Sequence, residues 1–132
     1  MKPAQHIGAL ALVVRDYDEA VAFYVGKLGF DLAEDTDLGG GKRWVRVTPP
    51  GARETCLLLA KAATPEQAAR IGDQTGGRVF LFLHTDNFAR DFERMRSNGV
   101  AFVRPPRQES YGTVAVFEDL YGNLWDLLEM KT

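Results

Sequence analysis

Cysteine is nearly absent from this chain. Its one cysteine, Cys56, stands alone among 132 residues, which excludes an internal disulfide framework and fits a reducing compartment. Charge of one sign is also missing. Sixteen basic residues against 18 acidic ones leave a formal charge of -2, so there is no electrostatic case for nucleic acid or for an anionic membrane surface as partner. No apolar run approaches the roughly 20 residues that span a bilayer. The opening stretch MKPAQHIGALALVV is short, runs into charged Arg15 and Asp16, and lacks a cleavage site, so it reads as a strand rather than a leader. A cytoplasmic location is the expectation. What is present is ordinary globular material: 45% apolar and 26% charged residues, enough to bury a core in one domain without staples.

Along the chain, residues 9–14 (ALALVV) form a short apolar, β-branched run, the signature of a buried strand. Asp16 stands three residues before Glu19, a spacing suited to capping a helix. Ala20, Phe23, Tyr24 and Leu28 then recur at helical spacing, and Gly29 supplies the stop. Strands are expected over 30–37, 42–48 and 54–61, with Gly39, Gly40 and Gly41 turning between the first two. No helix opens after these glycines, so they read as a hairpin turn rather than a phosphate cradle. Thr64, Pro65 and Gln67 start a connecting helix that Gly72 stops. A strand over 78–85 follows, then a helix striped by Phe88, Phe92 and Met95 and ended by Gly99. Strands near 101–104, 111–118 and 124–130 finish the chain, with Pro105 and Pro106 expected in a turn.

This order, β-α-β-β-β twice over, is a repeat. Displacing the chain by seventy positions lays Asp16 on Asp86, Gly29 on Gly99 and Lys61 on Lys131, and TCLLLAK (55–61) on WDLLEMK (125–131). The expectation is one domain, 1–132, made of a first module at about 5–61, a connector with a short helix over 62–77, and a second module over 78–132. Two half-domains can enclose a ligand cavity that neither has alone.

Three stretches resemble the vicinal-oxygen-chelate superfamily of glyoxalase I, bleomycin-resistance proteins and extradiol dioxygenases. ALALVVRDYDEAVAFYVGKLGF (9–30) is similar to its first strand and helix, and TDNFARDFERMRSNGVAFV (85–103) to its second helix. FEDLYGNLWDLLE (117–129) is similar to its Asp-Pro-x-Gly-Asn turn and last strand, with Leu120 in place of the proline. The resemblance implies an α+β fold whose two tandem βαβββ modules form a cup-shaped, curled mixed sheet with helices outside. It also implies a homodimer.

In metal-dependent members, ligands lie at the start of each module's first strand and within its last strand. Here the first histidine position falls on Ala9, and the second on Phe80, or on Val79 under a strict seventy-residue displacement. The carboxylate position falls on Asp126, and its first-module equivalent on Cys56. Ala9 and either Phe80 or Val79 cannot coordinate, and Cys56 prefers softer ions than oxygen-chelating chemistry uses. His6 lies three residues before Ala9 and is a poor substitute. No metal ligand and no cofactor is therefore assigned, although a divalent ion displaced from the usual position stays open.

His84 carries the most chemical potential. If the ligand position is Phe80, then Phe80, Phe82 and His84 share a strand face and the imidazole can serve acid–base chemistry. If it is Val79, His84 faces the helix layer. A buried Asp126 needs a partner, for which Arg43, Arg46 and Arg78 are candidates. His84 and Asp126 are the candidate catalytic pair. Cys56, Phe80, Phe82, Trp44, Arg46 and Tyr111 are candidate ligand-binding residues, Tyr111 because loops of that kind overhang the cup in the superfamily. Trp125 and Glu129 have the opposite parity to Asp126, which directs Trp125 to a helix or a second subunit. Two functions stand. One is a binding protein for a small organic molecule. The other is a superfamily lyase, isomerase or dioxygenase with a displaced metal or metal-free acid–base chemistry.

Overall fold

The computed structural model describes residues 3–132; Met1 and Lys2, at the head of the N-terminal stretch, lie outside the described residues. The elements run β1 (Ala9–Val14), α1 (Tyr17–Val21) continuing as a π-helical stretch (Ala22–Lys27), β2 (Asp31–Gly39), β3 (Lys42–Thr48), β4 (Cys56–Lys61), α2 (Pro65–Ala68), β5 (Val79–His84), α3 (Phe88–Ser97), β6 (Ala101–Glu109), β7 (Gly112–Glu118) and β8 (Leu124–Met130). Adding seventy to the bounds of β1, β2 and β3 gives those of β5, β6 and β7. The chain divides into two compact units, one ending at Ile71 and the other spanning Gly72–Thr132.

Each unit holds a four-stranded mixed sheet, ordered β1-β4-β3-β2 in the first and β5-β8-β7-β6 in the second. In each, the first strand runs parallel to the last, and the remaining neighbours are antiparallel. The expected cup-shaped curled sheet is not observed. The sheets are separate and open, neither closed nor strongly curled, each ending on two edge strands. Four strands are too few to close on themselves, since even small barrels take about eight.

Alternation along the strands makes one face of each sheet a core. In the first unit Leu12, Val14, Val45, Val47, Leu57 and Leu59 are buried with Ala20, Phe23 and Tyr24 of the helix. Asp16 caps that helix by accepting the Glu19 N–H at 2.9 Å, and Gly29 ends it at φ 79°. The π-helical turn, with the Leu28 N–H bonded back to the Phe23 carbonyl at 3.0 Å, has no counterpart in the apolar spacing. In the second unit Ala115, Phe117, Trp125 and Leu127 are buried on the core face, with Trp125 stacked on Phe117 at 5.6 Å, and Val114, Val116 and Leu128 are buried on the other. Trp125 thus lies on the buried face opposite Asp126, the parity expected of it. Asn87, rather than Asp86, caps α3 by accepting the Arg90 N–H at 3.0 Å.

Two further expectations are corrected. The connecting helix is a single turn, Pro65–Ala68, and ends before Gly72. Pro105 and Pro106 lie inside β6 rather than in a turn, at a register irregularity between Arg104 and Arg107. β6 is an edge strand, and the irregularity leaves both prolines out of the register with β7, so no ladder bond is asked of either.

Candidate functional site

Antiparallel pairing of β3 with β4 sets Val45 opposite Leu59 and Arg46 opposite Leu58. The start of β3 is thereby brought beside the end of β4, where α2 follows. A pocket of about 520 Å³ opens there within the first unit, a size suited to a small organic molecule. Tyr17, Lys42, Arg43, Trp44, Leu58 and Ala60 are among its lining residues. Leu58 and Ala60 alternate with buried Leu57 and Leu59, and Trp44 with buried Val45. All three therefore stand on the sheet face turned away from the helix. Trp44 keeps 40% of its surface exposed, which leaves its ring available for contact.

Arg43 fixes the rim. Its backbone N–H donates to the Tyr17 hydroxyl at 3.2 Å, and its guanidinium lies 5.1 Å from the centre of that ring. The guanidinium also pairs with Asp18 and Asp35, each at 2.7 Å. The Arg43 hydrogen bond holds the Asp35 carboxyl below its usual range against a small opposing effect of burial.

Farther along the same face, Arg46 donates to Glu34 at 3.0 Å and contacts the Cys56 sulfur at 3.8 Å. Hydrogen bonds from Arg46 and then Thr36 hold Glu34 below the ordinary carboxylate range. Cys56 itself is buried, and its neighbour on β1 is Ala9.

In the second unit Phe82 pairs with Asp126 and His84 with Leu128. His84, Phe82 and Asp126 thus share one sheet face, opposite the buried Trp125 and Leu127. An irregularity between Val79 and Leu81 separates Phe80, which is half-buried, from that register. Phe82 is 59% exposed. Burial raises the Asp126 pKa, and the charges of Arg107 and Arg104 on β6 only partly oppose it. Tyr111 sits in the two-residue connection between β6 and β7, 42% exposed, beside Arg107.

The candidates named from sequence therefore fall into separate groups. Trp44 belongs to the pocket, Arg46 and Cys56 form a contact on the same face, and His84, Phe82 and Asp126 share a face of the other unit. Tyr17, Lys42, Leu58, Ala60 and Lys61 were not foreseen, and Arg43 was named only as a partner for Asp126, whereas it pairs with Asp18 and Asp35. The sequence signal was the hairpin glycines on one side and the Thr64-Pro65 helix start on the other, but their adjacency follows only from the β3–β4 register.

Each candidate ligand for the superfamily's divalent ion stands near a guanidinium, Cys56 by Arg46 and Asp126 by Arg104 and Arg107, and a fixed positive charge disfavours a cation. Among the described residues, no three of His, Cys, Asp and Glu come together in a group that could hold a metal. Among the described residues, too, no helix is long and apolar enough to cross a membrane.

Two duplicated mixed sheets, each backed by a helix, define a class of protein, and comparison with known proteins gives it a name. A sequence model of the Glyoxalase/Bleomycin resistance protein/Dioxygenase superfamily matches residues 6–127, and the chain belongs to that superfamily. It is 63% identical over 128 residues to an uncharacterized protein of Shewanella frigidimarina (strain NCIMB 400), covering 96% of this chain and 95% of that one. Among solved structures it is similar to UcmS2, at 34% identity and a TM-score of 0.82 over 96% of this chain and 98% of that one. It is also similar to TnmS3, an antibiotic binding protein from Streptomyces sp. CB03234, at 31% identity and a TM-score of 0.78 over 99% and 100% of the two chains.

Proposed function

We propose that this protein binds a small aromatic organic molecule at the Trp44 pocket and releases it chemically unchanged. The observation that carries the reading is the pocket itself: about 520 Å³, with an exposed indole and apolar Leu58 and Ala60 on one face. Aromatic rings contribute large contact area at small entropic cost, and a few polar groups then orient the ligand. Likeness to an antibiotic binding protein at 31% identity supports the reading. Titration of the 15N-labelled chain with the neutral probe 2-naphthamide tests it. Amide shifts are expected at Trp44, Leu58 and Ala60, to be abolished in Trp44→Ala, with the probe recovered intact. Shifts absent from these positions with this probe and with its carboxylate and ammonium analogues alike overturn the reading.

A second reading rests on one observation: His84 and Asp126 share a face, and burial raises the carboxyl's pKa. A carboxyl and an imidazole so placed are an acid–base pair in kind. Under it the protein is a lyase-, isomerase- or dioxygenase-like enzyme, and His84→Ala removes turnover without changing ligand affinity. Both readings include a homodimer in the cytoplasm as one domain, by likeness to the superfamily. Light scattering that reports a monomer at micromolar concentration counts against the dimer.

A further inference from the structure

We infer that the Trp44 pocket takes an aromatic acid, its flat body against Trp44, Leu58 and Ala60 and its anionic group drawn to Lys42 and Lys61. The inference rests on that pocket being the binding site and adds the charge of its ligand. Three cationic side chains line the pocket, Lys42, Arg43 and Lys61, and no carboxylate is among the lining residues.

The three cations are not equivalent. Arg43 is already neutralised by Asp18 and Asp35, each at 2.7 Å, so it is a fixed part of the wall. Lys42 and Lys61 make no side-chain hydrogen bond or ion pair among the described residues, and both are exposed. Lys42 shares the face of Trp44, and Lys61, of opposite parity, lines the pocket from the end of β4; two ammonium groups without counter-charge lining one pocket give a local positive field in a chain whose formal charge is -2. Such a field attracts an anion and repels a cation of the same shape. The ligand's two ends follow from this: a ring for the floor, and a carboxylate or similar oxyanion for the rim.

The second unit carries no such combination. A displacement of seventy replaces Lys42 by Gly112, Trp44 by Val114 and Ala60 by Met130, and keeps Leu128 for Leu58 and Lys131 for Lys61. The two halves share a fold, and this pairing of indole with two lysines belongs to the first alone.

The test compares 2-naphthoate with its neutral isostere 2-naphthamide and with 2-naphthylmethylammonium, by calorimetry and by amide shifts on the full chain. The naphthoate is expected to bind about tenfold more tightly than the amide, as two partly solvated charges within several ångströms allow. Lys42→Gln with Lys61→Gln should remove that preference, bringing naphthoate affinity down about tenfold to that of the amide on the same variant. Raising ionic strength from about 0.01 M to about 1 M, which shortens the Debye length from about 30 Å to about 3 Å, should weaken the naphthoate selectively. Equal binding of naphthoate and naphthamide at Trp44, or tighter binding of the ammonium probe, overturns the anionic inference and leaves the pocket assignment standing. Binding of none of the three at Trp44 overturns both.

Discussion

The Tyr17 hydroxyl accepts the backbone N–H of Arg43 at 3.2 Å, while the Arg43 guanidinium lies 5.1 Å from the centre of the same ring. One phenol therefore joins the first turn of α1 to the start of β3 at the pocket rim. Tyr17 is 6% exposed and its bond to the Arg43 amide is part-buried. Tyr17→Phe leaves that amide without its partner and should destabilise the chain by about 1 kcal/mol in urea denaturation. An unchanged midpoint would show that the bond contributes nothing.

The Glu129 carboxylate accepts the Phe88 N–H at 2.6 Å, tying the end of β8 to the first turn of α3. A negative charge at that place also suits the positive end of the helix. Glu129→Ala should cost about 1.5 kcal/mol and speed hydrogen exchange in α3 before it does so in β7. Uniform acceleration across the unit would count against this role.

Two carboxyls give stability a pH dependence of opposite sign. Burial resists ionisation of Asp91, but hydrogen bonds from Arg90 and Thr85 prevail and its pKa is lowered. Its contribution is present above the unfolded value of about 3.9 and is lost as pH falls through the folded one. Asp126 is raised by burial, so its contribution is present below that value and is lost as pH rises through the folded one. Asp91→Asn should therefore lower stability at pH 7 and flatten its decline toward pH 3. Asp126→Asn should be neutral or stabilising at pH 7. Denaturation midpoints at the two pH values decide between these signs.

Gly112 opens β7 at φ 158°, and a Cβ there would meet the carbonyl oxygen of Glu129 on β8 well inside van der Waals contact. Backbone cannot yield as a side chain can. Gly112→Ala should cost more than about 2 kcal/mol and perturb the β7–β8 register. Wild-type thermal stability in that variant would refute the steric account.

Local chemistry is what the linear chain made legible. The seventy-residue repeat placed nearly every element, because apolar alternation and helix stops such as Gly29 and Gly99 act over a few residues. The Asp16 cap is read from a spacing of three for the same reason. Elements that depend on neighbours distant in sequence were not legible. Pro105 and Pro106 look like a turn until β6 is known to be an edge strand.

The sequence by itself determined the duplicated α+β plan, the family and the aromatic and charged residues available to a site. Tertiary structure decided which of them meet. The β5–β8 register put His84 on the Asp126 face, and the β3–β4 register carried Trp44 toward Leu58 and Ala60 at the pocket. It also decided that the sheets stay open. The physical reason is that a strand's own pattern fixes which residues share a face, whereas pairing register, set by long-range packing, fixes which strands' faces come together.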